Sequence, residues 1–296
     1  MKWLSVALAS LGLAISALAA EQPAARWISA GGALSEWIVE LGGADRLVAV
    51  DTTSRHLPQL QGLPVIGYQR QLAAEGILAL APDVLLGTEE MGPLPVLEQL
   101  RNAGVAVEIM PATAQLGVLQ ANLRRMGELL GQPAHAAAVA EQYAARLQQQ
   151  QASVDKLNKL QSAPGVLLLL GHAGASPLAA GRESLGDWLI ERAGGRNLAS
   201  HQGYKALSVE ALVALDPEVL LVADRSVQGE AALTALLQQN PALASTRAVR
   251  DGRVLLVDPT LLVGGLGPRL PDQLAVLSAA FYPATPPAVA EVSSYP

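Results

Sequence analysis

The chain has 296 residues, 51% of them hydrophobic and 16% charged, with a formal net charge of −6 and a pI near 5.3. That length accommodates one large or two medium domains around a sizeable core, and the apolar content excludes a disordered chain. The acidic balance, the lack of any Lys/Arg run and an aromatic content of 3% exclude a nucleic-acid surface or a base-stacking platform, and the absence of cysteine excludes disulfides, thiolate zinc sites and iron–sulfur clusters.

Met1-Lys2-Trp3 opens with a positive charge, and the small apolar stretch Leu4 to Ala19 ends in Ala17-Leu18-Ala19. This pattern predicts a secretory signal peptide over residues 1–19, too short and too small-residue-rich at its end for a membrane anchor. With no lipoprotein cysteine, the mature chain is expected to be free in the bacterial periplasm.

From Trp27 onward, short apolar runs alternate with helical periodicity. Trp27 to Ser29 reads as a strand, and Ser35 as the cap of a helix with Glu36 in its first turn, ended by Gly42-Gly43. Arg46 to Val50 is a predicted strand, "AAEGILAL" a helix stopping before Pro82, "DVLLG" a strand, "VLEQLRNAG" a helix and "VAVEIM" a strand. This order predicts a parallel α/β sheet. Leu116 to Gln161 then has almost no breakers, and a helix of roughly 25 residues there would span about 38 Å. From Val166 the alternation returns: "VLLLL", "SLGDWLIERAGG", "SVEALVAL", "EVLLVA", "ALTALLQQ" and "RVLLVD", followed by a Pro-rich tail. The predicted organisation is an N-terminal lobe over 20–115, a connecting helical segment over 116–161 and a C-terminal lobe over 162–296. The fold class is α/β, with two similar Rossmann-like lobes joined by one long helix and a ligand cleft between them.

An internal repeat supports this division. Leu72 to Leu86 aligns with Leu207 to Leu221 at a constant offset of 135 residues, so that Glu75 matches Glu210 and Pro82 matches Pro217. The pairs Gly67-Tyr68 and Gly203-Tyr204 align with one gap, and "WIVELGG" echoes "WLIERAGG". Two equivalent lobes facing each other make a cleft, where small ligands bind. Both Gly-Tyr pairs are predicted in loops before helices, near its mouth.

Together, "GYQRQLAAEGILALAPDVLL", "GYKALSVEALVALDPEVLL" and the long connecting helix resemble the periplasmic binding proteins of ABC importers for iron chelates, haem and cobalamin. Within that group the likeness is to the haem-binding members, whose first lobe carries Gly-Tyr-x-Arg-x-Leu-x-x-Glu-Gly-Ile-Leu, matched here from Gly67 to Leu78. The resemblance implies that Tyr68 is the axial ligand of ferric haem, carried as cargo. The chemistry agrees. A phenol titrates near pH 10, and ferric iron needs an anionic oxygen donor, so the metal and a neighbouring cation must together favour the phenolate. In an extended segment Arg70 would point to the same side as Tyr68 and donate a charge-assisted hydrogen bond to it.

Other residues take secondary roles. "AGGALSEW" and "TEEMGPLP" are expected to line the cleft in lobe one, and "GHAGASPLAAGRES" in lobe two. Tyr204, Lys205 and Arg182, with Arg70, are candidates for packing against the porphyrin or pairing with its propionates. His172 is a candidate second haem contact, whereas His56, His135 and His201 read as polar loop or surface residues. Glu89 and Glu90 read as ordinary surface acids. Glu75 and Glu210 favour the positive ends of their helices, and the resemblance implies that they dock onto arginines of an inner-membrane ABC permease dimer. A ferric-siderophore or cobalamin carrier is the alternative cargo reading. A divalent-metal carrier lacks its cluster of His and carboxylate ligands, and no nucleophile elbow, phosphate loop or triad is readable, so no enzyme activity is expected. The protein is expected to act as a monomer.

Overall fold

The computed structural model describes residues 25–171, 177–224 and 230–283. The expected signal segment, His172 and most of the Pro-rich tail lie outside these ranges. In the first lobe, β1 (Trp27–Ala30), α1 (Gly32–Glu40), β2 (Leu47–Val50), α2 (Ala74–Leu78), β3 (Val84–Gly87), α3 (Leu94–Asn102) and β4 (Ala106–Ile109) follow one another. The four strands form a parallel sheet in the order β2-β1-β3-β4. Helix α4 (Leu116–Leu130) and the 28-residue α5 (Pro133–Leu160) come next. At 1.5 Å per residue α5 is about 42 Å long.

The second lobe contains β5 (Gly165–Gly171), β6 (Leu178–Ala180), α6 (Leu185–Arg192), β7 (Arg196–Asn197), β8 (Tyr204–Ala206), α7 (Val209–Leu215), β9 (Val219–Asp224), α8 (Glu230–Gln239), α9 (Arg247–Arg250), β10 (Val254–Leu256) and α10 (Leu270–Phe281). Its sheet runs β10-β9-β5-β6-β8, with the short β7 also paired to β5. The β10, β9, β5 and β7 pairings are parallel, but β6 and β8 are antiparallel additions. Tyr204 therefore starts a strand rather than sitting in a loop as its first-lobe counterpart does.

The central parallel strands β1, β3, β5 and β9 are buried on both faces, as helices on both sides of a sheet require, whereas the edge strands β4 and β10 are partly exposed. On β5, Val166, Leu168 and Leu170 join the large cluster that runs through α5 and α10, while Leu167 and Leu169 pack with Leu212 and Leu236 on the opposite face. The same cluster includes Trp37 and Leu123 from the first-lobe side and Phe281 from the second, so one apolar core runs beneath both lobes.

The repeat survives in three dimensions. Helices α2 and α7 begin at Ala74 and Val209, and β3 and β9 at Val84 and Val219, both pairs 135 apart. Ala81 (φ 45°) and Asp216 (φ 39°), each just before the matched proline, both adopt left-handed backbone. Proline disfavours right-handed helical backbone in the residue before it. Each turn is also held by an arginine: Arg26 Nε donates to the Ala81 carbonyl at 3.0 Å, and Arg247 Nη2 to the Asp216 carbonyl at 2.9 Å.

One expectation about α1 is corrected. Ser35 does not cap it; the helix starts after Gly31, and Ser35 is buried inside it. The Ser35 hydroxyl donates to Ser29 Oγ at 2.8 Å and lies 2.7 Å from Ser54 Oγ, so it ties α1 to β1 and to the turn after β2. A capping serine occupies the non-helical residue just before the first turn, whereas Ser35 lies within the helix, and the backbone of Gly31, at φ 150°, makes the entry instead.

Candidate ligand-binding cleft

Two adjoining cavities open between the lobes, of about 450 and 520 Å³. Both lie outside the carboxyl ends of the parallel strands, the usual ligand position in α/β sheets. The loops after β2, β3 and β4 contribute Thr52 to His56, Glu89 with Glu90, and Ala112 to Ala114. The segment after β10 contributes Leu262 to Gly265, and the second lobe adds Leu170, Leu178, Leu185 and Tyr204. Tyr68 lines both cavities and stands at their junction.

The Tyr68 loop is not extended. Residues Tyr68 to Gln71 form a turn closed by Gln71 N–H donating to the Tyr68 carbonyl at 2.7 Å. Gly67, at φ 91°, supplies a left-handed conformation that side-chain-bearing residues rarely adopt. Two backbone hydrogen bonds pin the loop: Thr52 N–H to the Gly67 carbonyl at 2.9 Å, and Gly92 N–H to the Gln69 carbonyl at 2.9 Å. Gln69 is fully buried behind the turn. The phenol of Tyr68 is half-buried and has no hydrogen-bond partner among the described residues.

Arg70 lines the cavity of about 450 Å³ beside Tyr68, as the Tyr-x-Arg spacing implied, but its nearest partner is different. Its Nη2 meets Glu90 Oε1 at 2.5 Å, and Gln69 Nε2 donates to Glu90 Oε2 at 3.3 Å. The Glu90 carboxylate holds the Arg70 guanidinium above its ordinary range, and the nearby Tyr68 phenol adds to this electrostatically. Glu89 and Glu90 are thus cleft residues rather than incidental surface acids. Glu89 also accepts from Ala112 N–H at 2.8 Å, linking the loops after β3 and β4.

In the second lobe, Tyr204 faces the cleft, and its hydroxyl accepts from Gly186 N–H at 3.2 Å at the start of α6. Lys205 follows it on β8, and successive strand residues point to opposite faces. Lys205 is exposed and lines neither cavity. Arg182 is exposed and also absent from both linings, whereas its neighbours Glu183 and Ser184 are present. The expected lining by "AGGALSEW" is likewise corrected, because α1 is covered by the segment between β10 and α10.

That covering segment carries the features least visible in sequence. Leu261, Leu262, Val263 and Leu266 are buried, and the chain from Asp258 to Arg269 leaves the second sheet and packs on α1 of the first lobe. Trp37 Nε1 donates to the Leu266 carbonyl at 2.7 Å, and Tyr143 of α5 donates to the Gly267 carbonyl at 3.2 Å. Gly265 has φ 84°, and a Cβ there would lie 2.9 Å from the Ala112 carbonyl oxygen, so the close passage needs glycine.

A charged cluster locks this crossing. Arg269 donates to Glu36 Oε1 from Nε at 2.9 Å and from Nη2 at 2.6 Å, and to Asp258 from Nη1 at 2.7 Å. His56 Nε2 lies 2.7 Å from the same Glu36 oxygen, and its Nδ1 lies 3.0 Å from the Thr53 carbonyl oxygen. Burial pushes the Glu36 carboxyl up, but the hydrogen bonds from His56 and Arg269 outweigh it and hold it below the usual range. Asp258 is held low in the same way: burial opposes ionisation, and Arg269 and Thr260 overcome it.

Among the remaining histidines, His135 is exposed on α5 as expected, and His201 packs against Gly181 with neither ring nitrogen hydrogen-bonded. Glu75 and Glu210 are both exposed in the first turns of α2 and α7. For Glu210, its own backbone N–H and then the Ser208 hydroxyl hold the carboxyl low. No cluster of three or more His, Asp or Glu residues suited to a bare metal ion occurs among the described residues.

Two α/β lobes, a helical spine and an interlobe cleft define the two-lobed architecture of a ligand-binding protein. The chain belongs to the periplasmic binding protein family, whose model matches residues 28–261. The structure is similar to that of a periplasmic haem-binding protein from Pseudomonas aeruginosa, at 60% identity and a TM-score of 0.86, over 88% of this chain and 94% of that one. It is also similar to the periplasmic haem-binding protein HutB of Vibrio cholerae, at 34% identity and a TM-score of 0.74, over 88% and 99% of the two chains. A cobalamin-binding protein of Halobacterium salinarum is 29% identical over 254 residues, a match covering 83% of this chain and 66% of that longer protein. A family of binding proteins accords with the expectation that the chain is not an enzyme.

Proposed function

We propose that this protein carries ferric haem in the periplasm and delivers it to an ABC permease dimer in the inner membrane, with Tyr68 binding the iron as a phenolate. The observation that carries the reading is the position of Tyr68: a phenol without a hydrogen-bond partner among the described residues, at the junction of two cavities, on a turn that also holds Arg70. At pH 7 only about one free phenol in a thousand is ionised, so moving the equilibrium to neutrality requires about 4 kcal/mol. Coordination to ferric iron supplies most of it, and Arg70 contributes the remainder as far as Glu90 leaves its charge unspent. Leu170, Leu178, Leu185, Leu262 and Val263 offer an apolar wall for the macrocycle, and Tyr204 stands opposite Tyr68. The likeness to the Pseudomonas and Vibrio haem-binding proteins supports the same cargo.

Glu75 and Glu210 are the permease contacts in this reading, as two exposed acids at matched positions on two lobes suit a two-fold partner. A cobalamin carrier is the second reading, favoured by the Halobacterium relative but at lower identity. The test is a titration of the purified mature chain with hemin. A high-spin ferric spectrum with a phenolate charge-transfer band is expected, and Tyr68→Ala should abolish the band and weaken binding by at least tenfold. A band that survives in the variant removes Tyr68 as the ligand; cobalamin bound in preference to hemin replaces the cargo.

A further inference from the structure

We infer that the cavity on the Thr52–His56 side of Tyr68 receives the carboxylate edge of the ligand, and that Arg55 is the residue that makes the protein select a porphyrin with free carboxylates. This assignment rests on the haem reading above.

The two cavities differ in charge. The one shared with the second lobe is lined by Glu89, Glu90 and Glu183, and Arg70, the cation among the described residues of its lining, is already paired with Glu90 at 2.5 Å. A dianionic ligand edge placed there would meet three carboxylates. Among the described residues, the neighbouring cavity of about 520 Å³ has no carboxylate in its lining, and it contains Arg55. Most polar groups of that lining are committed inward. Thr53 Oγ1 donates to Asp51 at 2.8 Å, Thr260 Oγ1 donates to Asp258 at 2.7 Å, and His56 is held between Glu36 and the Thr53 carbonyl. These bonds fix the wall and leave it unable to donate further. The side chains of Arg55 and Thr52 have no partner among the described residues. Besides the Tyr68 phenol, which this reading assigns to the iron, they are the uncommitted side-chain donors among the described residues of that lining, and a guanidinium matches a carboxylate with two parallel hydrogen bonds. Tyr68 stands between the cavities, so a ligand bound to its oxygen reaches the apolar wall with its body and Arg55 with its edge.

Arg55 is exposed, so its removal leaves folding intact. The experiment compares hemin with iron(III) protoporphyrin IX dimethyl ester, binding each to the wild-type mature chain, Arg55→Ala and Arg55→Lys, and reading Kd from Soret titration. Charged hydrogen bonds of this kind imply that wild type prefers the free acid by about tenfold or more. Arg55→Ala should bind hemin about tenfold more weakly and lose the preference, Arg55→Lys should keep part of it, and the phenolate band should persist in both. Full discrimination retained by Arg55→Ala, with the band intact, overturns the assignment while leaving the haem reading standing. Wild type that binds neither compound, or binds without a band dependent on Tyr68, overturns the haem reading and this assignment with it.

Discussion

The Glu36–Arg269 contact joins the first lobe to the chain leaving the second, and Arg269→Ala should be the most destabilising single change at the base of the cleft. The Glu36 side chain is only 4% exposed, and Arg269 is its main partner. Breaking a buried ion pair on one side typically costs 3–5 kcal/mol because the other charge is left behind, here reduced to roughly 2–3 kcal/mol because Arg269 is 37% exposed and His56 remains on Glu36. For a chain of this size, about 2–4 °C of Tm is lost per kcal/mol, so the variant should melt about 5–10 °C lower at pH 7. The sign with pH follows from the depressed Glu36 carboxyl. Its contribution is present above its unfolded-state value, near 4.5, and disappears as pH falls through its lower folded value. Asp258 acts in the same direction. The Tm gap between wild type and variant should therefore narrow steadily below about pH 4. Circular-dichroism melts of wild type, Arg269→Ala, Glu36→Gln and the double variant measure this. The double variant should lose less than the sum of the singles, since the buried Glu36 charge is no longer stranded and only the half-exposed Asp258 loses its partner. A gap under about 1 °C at pH 7, or one unchanged at the acid end, refutes the reasoning.

Glu90→Gln removes the carboxylate that occupies Arg70, so the phenolate of Tyr68 gains the whole cation and loses a like charge. At neutral pH the charge-transfer band of the hemin complex should strengthen and hemin should bind more tightly than to wild type; an unchanged or weaker band shows that Arg70 does not act on the phenol. Glu75→Ala combined with Glu210→Ala should leave hemin affinity within about twofold of wild type, since both acids lie on exposed first turns outside the cavities, while haem transfer to permease in proteoliposomes falls sharply. Transfer at the wild-type rate removes these acids from the docking surface.

Arg70 illustrates the difference between motif and geometry. Its spacing from Tyr68 correctly brought both side chains to one cavity, but through a closed turn rather than an extended strand, and with Glu90 as the nearest charge. Glu90 is 20 residues further along, and nothing local marks it as a partner. Lys205 follows the cleft residue Tyr204 on β8, and a one-residue step on a strand reverses the side a residue faces; Arg182 sits in the connection between β6 and α6, exposed, and no local pattern tells it from Ser184, which lines the cleft. Arg55 and the Leu262–Gly265 wall carried only faint signals: a lone arginine after a strand, and a Gly-Gly inside an apolar run ahead of Arg269.

Sequence alone determined the elements that depend on local chemistry: the buried strands, a long helical spine, the repeat at offset 135 and the position of Tyr68 in a loop before α2. Hydrophobic period, breakers and caps act over a few residues, and an internal repeat compares the chain with itself, so each can be read without knowing the fold. Tertiary structure alone decided which charges meet. Glu36 and Arg269 are 233 residues apart, and their pairing exists only because the chain after β10 crosses back onto α1. Electrostatic partners are chosen by distance in space, and the sequence separation of two charges carries almost no information about that distance until the backbone has been placed.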